Sequence, residues 1–177
     1  MQHDPDILAE AVAAKAKALF ESKEMLCADA IMSAVNEGLG GGLDPDMAKS
    51  LAGAYGGGLG GAGCLCGAVN GAALSLALIL SKGLAPAQVR KAGKELHDRF
   101  KEKHGSTCCR VLTKKVKANP KEHFAHCSKL SESGARLAVS IILDRMPELA
   151  AGANPRALAK RRSALGTILR RLADKLG

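Results

Sequence analysis

Two hydrophobic patterns stand out along this 177-residue chain, and neither is typical of a β-sheet. No run alternates apolar and polar residues with the two-residue period of a half-buried strand. The most apolar stretch runs from Gly67 to Leu80, and leucines recur at spacings of seven, four, three and four near the C-terminus, at Leu158, Leu165, Leu169, Leu172 and Leu176. We therefore predict an all-α protein, a single-domain helical bundle of about seven to eight helices without a sheet.

Prolines and glycines divide the chain into its predicted helices. Proline is favoured at the first helical position, and an Asp or Asn just before it is a good N-cap. This pair occurs at Asp4-Pro5, Asp44-Pro45, Asn119-Pro120 and Asn154-Pro155, with Ala85-Pro86 as a weaker case. Glycines predict helix ends near Gly38, Gly83 and Gly105. The predicted helices lie near residues 5–21, 25–38, 45–55, 66–82, 86–104, 108–117, 121–147 and 155–176.

Charge separates the C-terminal segment from the rest of the chain. The net charge is +9, and residues 154–177 carry seven cationic side chains against one acid. We predict a four-cysteine helical domain over residues 1–150 and a basic amphipathic helix over residues 154–177. Because a lone helix of this length is marginal in water, its leucine stripe must be buried. We favour a homodimer, and the alternatives are packing on its own bundle or peripheral contact with an anionic membrane surface.

Composition and the N-terminal residues argue against several classes of protein. The aromatic residues are Phe20, Tyr55, Phe100 and Phe124, too few for base stacking, and no nucleic-acid motif is present. Residues 1–6 lack the basic and apolar regions of a secretory signal, and residues 67–80 are too few to span a bilayer. We expect a soluble cytoplasmic protein. In that compartment six cysteines favour metal or redox chemistry over structural disulfides.

Four of the six cysteines lie in distinctive contexts, and thiolate is the ligand that selects iron–sulfur clusters, zinc and cuprous copper. These four are Cys27, Cys66, Cys109 and Cys127, and the other two are Cys64 and Cys108. Cys27, Cys66 and Cys109 fall at predicted helix starts, where free N–H groups and the helix dipole stabilise a thiolate. Cys127 falls two turns into its predicted helix and can reach a shared site only sideways.

A glycine run precedes Cys66 and reads Gly-Gly-Gly-Leu-Gly-Gly-Ala-Gly over residues 56–63. It formally matches a dinucleotide-binding fingerprint, but it lacks the preceding strand and the later acidic residue, and no phosphate-loop Gly-Lys-Ser/Thr follows. Without a Cβ atom, glycine lets the backbone approach a cofactor closely. We predict a cofactor loop that contains Gly57, Gly58, Gly60, Gly61, Gly63 and Gly67. A flexible hinge between two helices is the alternative.

The hexapeptide Cys66-Gly67-Ala68-Val69-Asn70-Gly71 resembles the CGAxxG motif of the redox-active C_GCAxxG_C_C family, which four cysteines define. In that resemblance Cys27 is the first cysteine, Cys109 in Gly-Ser-Thr-Cys-Cys-Arg is the third, and Cys127 is the fourth. It covers roughly residues 10–146. A similar segment occurs in split-Soret cytochromes beside an iron–sulfur centre. The resemblance therefore implies a helical module that binds a [2Fe–2S] or [4Fe–4S] cluster through these four cysteines.

Three functions stay open at this point. The first is electron transfer or redox sensing through a cluster, with cations such as Arg110, Lys103, Lys114 and Lys115 offsetting its negative charge. The redox partner is unknown. The second is a metal-free thiol–disulfide protein that uses Cys64 with Cys66 or Cys108 with Cys109, although vicinal cysteines seldom form an unstrained disulfide.

The third function is a zinc site in which His123 or His126 joins Cys127. We expect both histidines on a solvated helix face instead, and we expect His97 and His104 at the surface. Covalent haem is not expected, because the chain contains no Cys-x-x-Cys-His. No Ser-His-Asp constellation follows from spacing alone, so the sequence does not decide whether the protein is an enzyme.

Overall fold

The computed structural model describes residues 4–152 of the chain. In that range the chain forms nine helical segments: α1 (Pro5–Glu21), α2 (Cys27–Gly38), α3 (Pro45–Gly53), α4 (Gly56–Leu59), α5 (Gly67–Leu80), α6 (Pro86–His104), α7 (Cys109–Thr113), α8 (Pro120–Leu143) and α9 (Leu149–Gly152). Segments α4 and α9 are single turns, which leaves seven helices. Residues 4–152 contain no strand, so the predicted all-α class is confirmed.

The predicted helix starts at Asp-Pro and Asn-Pro pairs are confirmed at three sites. The Asp4 carboxylate accepts from the Asp6 amide, and the Asp44 carboxylate accepts from the Asp46 amide. The Asn119 side chain accepts from the first amides of α8. These bonds satisfy amides that the first helical turn cannot pair. The fourth pair, Asn154-Pro155, and the predicted helix 155–176 lie outside the described residues.

Several predicted helix boundaries need correction. Helix α8 ends at Leu143 rather than at residue 147, because the residue before Pro147 is sterically biased away from the helical region. Helix α7 ends at Thr113 rather than at residue 117, and the following turns bond back to the Thr113 carbonyl before Asn119-Pro120. Cys66 lies outside α5 as its N-cap residue, and Cys27 is the first residue of α2.

The hydrophobic core lies between α1, α2, α5 and α8, and α6 packs against α5 and α8. The largest fully buried aliphatic side chains in this core are Leu8, Ile31, Leu76, Ile79, Leu80, Leu96, Ile141 and Ile142. Two glycines let helices approach closely. A Cβ atom at Gly71 would lie 2.5 Å from the Ala28 carbonyl oxygen, and one at Gly134 would lie 2.8 Å from the Ala68 carbonyl oxygen. The core therefore holds the start of α5 directly against α2 and α8.

Candidate functional site

The four motif cysteines come from four different elements of the bundle. Cys27 opens α2, Cys66 precedes α5, Cys109 opens α7, and Cys127 lies in the third turn of α8. Cys66 is buried, and the other three are partly buried. We call the region formed by these cysteines and the glycine-rich residues 56–67 the thiol centre.

Backbone contacts join the segments that carry Cys66 and Cys109. The Cys66 amide donates to the Thr107 carbonyl at 2.7 Å, and the Arg110 amide donates to the Gly63 carbonyl at 3.1 Å. These two bonds tie the loop before α5 to the loop before α7. They join residues more than 40 positions apart, so local sequence patterns contain no signal for them.

Glycine Cα atoms lie directly against two of the cysteines. A Cβ atom at Gly67 would overlap the Cys27 sulfur, and one at Gly58 would lie 2.7 Å from the Cys109 Cβ. Gly58 has φ of +76°, a conformation that side chains with a Cβ rarely adopt. The thiol centre is therefore lined in part by bare backbone.

The remaining glycines of the predicted cofactor loop behave differently from one another. Gly63 packs against the side chain of Arg110, whereas nothing lies within 4 Å of a Cβ atom built on Gly57 or Gly61. A Cβ atom built on Gly60 would lie 3.9 Å from the Ala54 carbonyl oxygen and near no other atom. The backbone amide of Gly57 nevertheless faces the Cys27 sulfur and favours its thiolate. The loop thus divides into glycines that contact the thiol centre and glycines whose role is the turn itself.

Burial raises the pKa of all four motif thiols. The pKa of Cys66 rises to about 12 because the side chain is desolvated, although the amides of Ala68 and Val69 oppose the rise. Desolvation also raises the pKa of Cys127 to about 12. The pKa values of Cys27 and Cys109 are raised in the same direction by the same cause. At neutral pH the metal-free centre therefore contains thiols rather than thiolates.

Electrostatic coupling shows that the four thiols share one region. A negative charge on Cys109 raises the pKa of Cys27, and charges on these two raise the pKa values of Cys66 and Cys127. Each of Cys27 and Cys109 thus lies within electrostatic range of the other three motif thiols. Even so, no three Cys, His, Asp or Glu side chains within residues 4–152 are grouped closely enough to hold a single metal ion.

The two remaining cysteines lie at the edge of the thiol centre. Cys64 is exposed, and Cys108 is partly buried with its thiol donating to the Gly63 carbonyl at 3.5 Å. A charge on Cys108 raises the pKa of Cys109. All six cysteines are free. The two secondary thiols are thus next to the motif cysteines in space as well as in sequence.

The histidines are less exposed than the sequence suggested. His104 is partly buried: its Nε2 lies 2.8 Å from the Ser133 hydroxyl, and its ring packs on Phe100. Burial lowers its pKa, and so do the charges of Lys103 and His126. His126 and His123 are also partly buried, and the His126 Nε2 is enclosed without a hydrogen-bond partner. The helix face that carries His123 and His126 is thus only partly solvated, because α8 packs against α1 and α7.

Three further residues of the centre were not predicted as site residues. Thr107 anchors the Cys66 amide, and the positive charge of Lys117 lowers the pKa of Cys109. Asp29 is buried two residues after Cys27, and burial raises the pKa of its carboxyl group. One Asp29 oxygen lacks a hydrogen-bond partner. An acidic residue in the first turn of a helix is a common feature of surface helices, so sequence gave no reason to single it out.

All six cysteines lie in a segment that matches the sequence pattern of a known protein family. The sequence pattern of the family described as "Putative redox-active protein (C_GCAxxG_C_C)" matches residues 25–141. The chain belongs to this family. The matched C_GCAxxG_C_C segment begins just before Cys27 and ends in α8 beyond Cys127, so it includes the whole thiol centre. No curated protein and no solved structure matches the chain.

Membership of the C_GCAxxG_C_C family supports redox activity as the class of function. Among the described residues, no helix combines the length and the apolarity required to cross a bilayer.

Proposed function

We propose that the thiol centre binds an iron–sulfur cluster through Cys27, Cys66, Cys109 and Cys127, and that the protein acts in electron transfer or redox sensing. The observation that carries this proposal is the close packing of the segments that hold these cysteines. Gly67, next to Cys66, lies against the Cys27 sulfur, and Gly58 lies against the Cys109 Cβ. Charges on Cys27 and Cys109 also raise the pKa of Cys127. Four thiolates are the usual ligand set of both [2Fe–2S] and [4Fe–4S] clusters. Such a cluster, when bound, accepts and releases single electrons.

The surroundings of the thiols suit a negatively charged group. Amides of Gly57 and Ala28 face the Cys27 sulfur, and amides of Ala68 and Val69 face the Cys66 sulfur. Amide donors near sulfur ligands are a means by which proteins tune cluster potentials. The backbone at Gly58 and Gly67 leaves room where side chains would otherwise fill the centre. In this proposal, these residues hold and orient the ligands.

The spacing of the thiols favours a cluster over a single zinc ion. Zinc binds thiolates at about 2.3 Å, so four tetrahedral sulfur ligands lie roughly 3.8 Å from one another. The described side chains include no such close group, yet charges on Cys27 and Cys109 still raise the pKa values of both Cys66 and Cys127. A cluster distributes its ligands over several iron atoms and therefore accepts a wider arrangement.

The raised thiol pKa values also weigh against a metal-free thiol–disulfide function for the motif cysteines. The thiolate is the nucleophile in disulfide exchange, and reactive cysteines usually have lowered pKa values. The pKa values of Cys66 and Cys127 are raised to about 12 instead. Iron would displace these protons, as metal binding does at thiolate sites generally.

The identity of the bound group can be tested by purifying the full chain without oxygen. We expect brown protein that contains iron and acid-labile sulfide, with visible charge-transfer bands and an electron paramagnetic resonance signal in one oxidation state. Exposure to air should bleach the colour. Stoichiometric zinc in a colourless protein would support the zinc alternative, and a colourless metal-free protein after anaerobic reconstitution would contradict both metal proposals.

A further inference from the structure

Three exposed large apolar side chains lie close in sequence to cysteines of the thiol centre. Six such side chains are exposed within residues 4–152: Ile7, Leu26, Met47, Leu51, Leu59 and Val111. Leu26 directly precedes Cys27, Leu59 lies in the loop that leads to Cys66, and Val111 follows Cys109 by two positions. Each of these three is more than half exposed, at 55%, 53% and 60%. An exposed apolar group rimmed by polar residues commonly marks an interaction site.

Contacts of the glycine-rich loop bring the segments that carry Leu26, Leu59 and Val111 next to one another. A Cβ atom at Gly56 would contact the Leu26 side chain, and Gly56 begins the short segment that contains Leu59. On the other side of that loop, Gly63 packs against the side chain of Arg110, the neighbour of Val111. We call the three side chains and their immediate surroundings the docking surface.

The rim of this surface is strongly basic. Residues 103–121 contain six cations and no acid, namely Lys103, Arg110, Lys114, Lys115, Lys117 and Lys121. All six are exposed, and none forms a salt bridge with an acidic side chain of residues 4–152. Unpaired surface charge of one sign around an apolar centre raises the rate of encounter with a partner of opposite charge.

The basic rim argues against two occupants of the docking surface, a second copy of the chain and the chain's own residues 154–177. In a symmetric dimer through this surface, both copies would present the same patch, so basic rims would face each other. Residues 154–177 carry seven cations against one acid, so this segment would also bring positive charge to a positive rim. An acidic partner avoids both repulsions. Small apolar contacts steered by charge are typical of transient electron-transfer complexes.

We propose that the docking surface binds a small acidic electron-carrier protein, with Leu26, Leu59 and Val111 in contact with the partner and the cations of residues 103–121 around them. This inference rests on the proposed redox function, because such a carrier has a reason to approach the thiol centre. It assigns a partner class to that centre. Binding itself requires no bond to form or break.

Flavodoxin is a suitable probe, because it is acidic and contains no iron that would disturb metal analysis. Binding to the full chain is measured by titration calorimetry at an ionic strength of about 0.01 M and again at about 0.15 M, since screening shortens the reach of surface charges. We expect a Kd that rises with salt. The double variant Lys114→Glu/Lys115→Glu should raise the Kd on the order of tenfold at low salt.

A matched control uses two cations at the start of α6. The double variant Arg90→Glu/Lys91→Glu changes the net charge by the same amount, but these residues lie roughly 20 Å along the helix from His104. We expect its Kd to stay within about twofold of the unmodified chain. An equal rise in the Kd of both double variants would overturn the proposal, because binding would then depend on total charge alone.

The apolar side chains give an independent test. Val111→Ser and Leu59→Ser should weaken flavodoxin binding severalfold without changing its salt dependence, whereas Ile7→Ser should not. No effect of the first two variants would overturn the docking surface. Binding of anionic vesicles or duplex DNA, with no binding of flavodoxin, would also overturn it. Iron and sulfide are assayed on the same samples, so an absent cluster contradicts the proposed function separately from the docking result.

Discussion

In the core of the bundle, α1, α2, α5 and α8 pack together through aliphatic side chains. At the thiol centre, by contrast, the backbone of glycine residues packs against cysteine side chains. The core side chains of Leu8, Ile31 and Ile142 are fully buried in regular helices. The thiol centre contains a glycine loop, a short helix and two non-glycine residues with positive φ, Leu59 and Leu65. The core thus gains stability from buried apolar area, and the centre uses that rigid frame to position its cysteines.

Glycines occur in both regions, but they contact different groups in each. Gly71 and Gly134 permit close helix packing against the backbone of Ala28 and Ala68. Gly67 lies on the same face of α5 only four residues before Gly71, yet it meets the sulfur of Cys27 instead. If this division is correct, substitutions in the two regions should separate the stability of the fold from the binding of a metal group.

The largest expected effect on stability comes from truncating the core. Leu76 is 1% exposed in the middle of α5, and Leu76→Ala should lower the free energy of unfolding by about 2–5 kcal/mol. The folded variant should still bind iron when saturated, because position 76 is roughly 15 Å along the helix from Cys66. Chemical denaturation and iron analysis together check this. Loss of iron from a folded Leu76→Ala sample would contradict the separation of fold stability from metal binding.

A smaller effect on stability but a large effect on metal content is expected at Gly67. The Cβ atom of Gly67→Ala would overlap the Cys27 sulfur, so this thiol must move away from the centre. We expect most of the bound iron to be lost after anaerobic reconstitution, while circular dichroism shows unchanged helix content. Gly93→Ala in α6 is the control, because nothing lies within 4 Å of the added Cβ atom. Equal iron in both variants would contradict a role for Gly67 in the site.

The glycine loop itself should show a graded response. Valine at Gly63 or Gly61 should reduce iron content, because both positions have positive φ, at +73° and +86°. The loss should be greater for Gly63→Val, since its Cβ atom would also lie 2.6 Å from the Arg110 Cγ. Iron and sulfide assays of the two variants measure the difference. Unchanged metal in both would support the alternative that residues 56–63 are a hinge.

The smallest effect is expected far from the thiol centre, at the ion pairs of Glu95. Hydrogen bonds from Arg145 and Arg99 hold the pKa of this carboxyl group below its usual value. A lowered folded-state pKa contributes stability above the unfolded value of about 4.3, and this contribution is lost as the pH falls through the folded value. Because the pair is partly exposed, Glu95→Gln should cost no more than about 1 kcal/mol at neutral pH.

The difference in the free energy of unfolding between Glu95→Gln and the unmodified chain should shrink in denaturation experiments as the pH falls below about 4. A difference that stays constant down to acidic pH would show that the carboxylate charge is not its cause. Metal content should be the same in both proteins at neutral pH.

The sequence predicted those features that local chemistry determines. The caps at Asp4, Asp44 and Asn119 depend on neighbouring residues, and α6 begins and ends where Pro86 and Gly105 indicate. The four cysteines were recognised because of their motif contexts. Their placement in separate elements around one centre is described by the structure, but the ligand assignment stays a prediction.

Long-range contacts could not be predicted in this way. The bond from the Cys66 amide to the Thr107 carbonyl and the contact between Gly67 and Cys27 depend on how distant helices pack. The burial of His126 likewise depends on the packing of α8, because its local sequence is polar and mixed. The exposed residues Leu59 and Val111 gave no local signal either, since single apolar residues on a surface are common.

The most direct test of the central claim is the iron and acid-labile sulfide content of six single Cys→Ala variants, each reconstituted anaerobically as the full chain. Cys64→Ala and Cys108→Ala are matched controls, because each lies within two positions of a proposed ligand. We predict that Cys27→Ala, Cys66→Ala, Cys109→Ala and Cys127→Ala lose or weaken the cluster, while the two controls keep most of it. Full iron and sulfide in Cys66→Ala, the most buried of the six cysteines, would contradict the assignment.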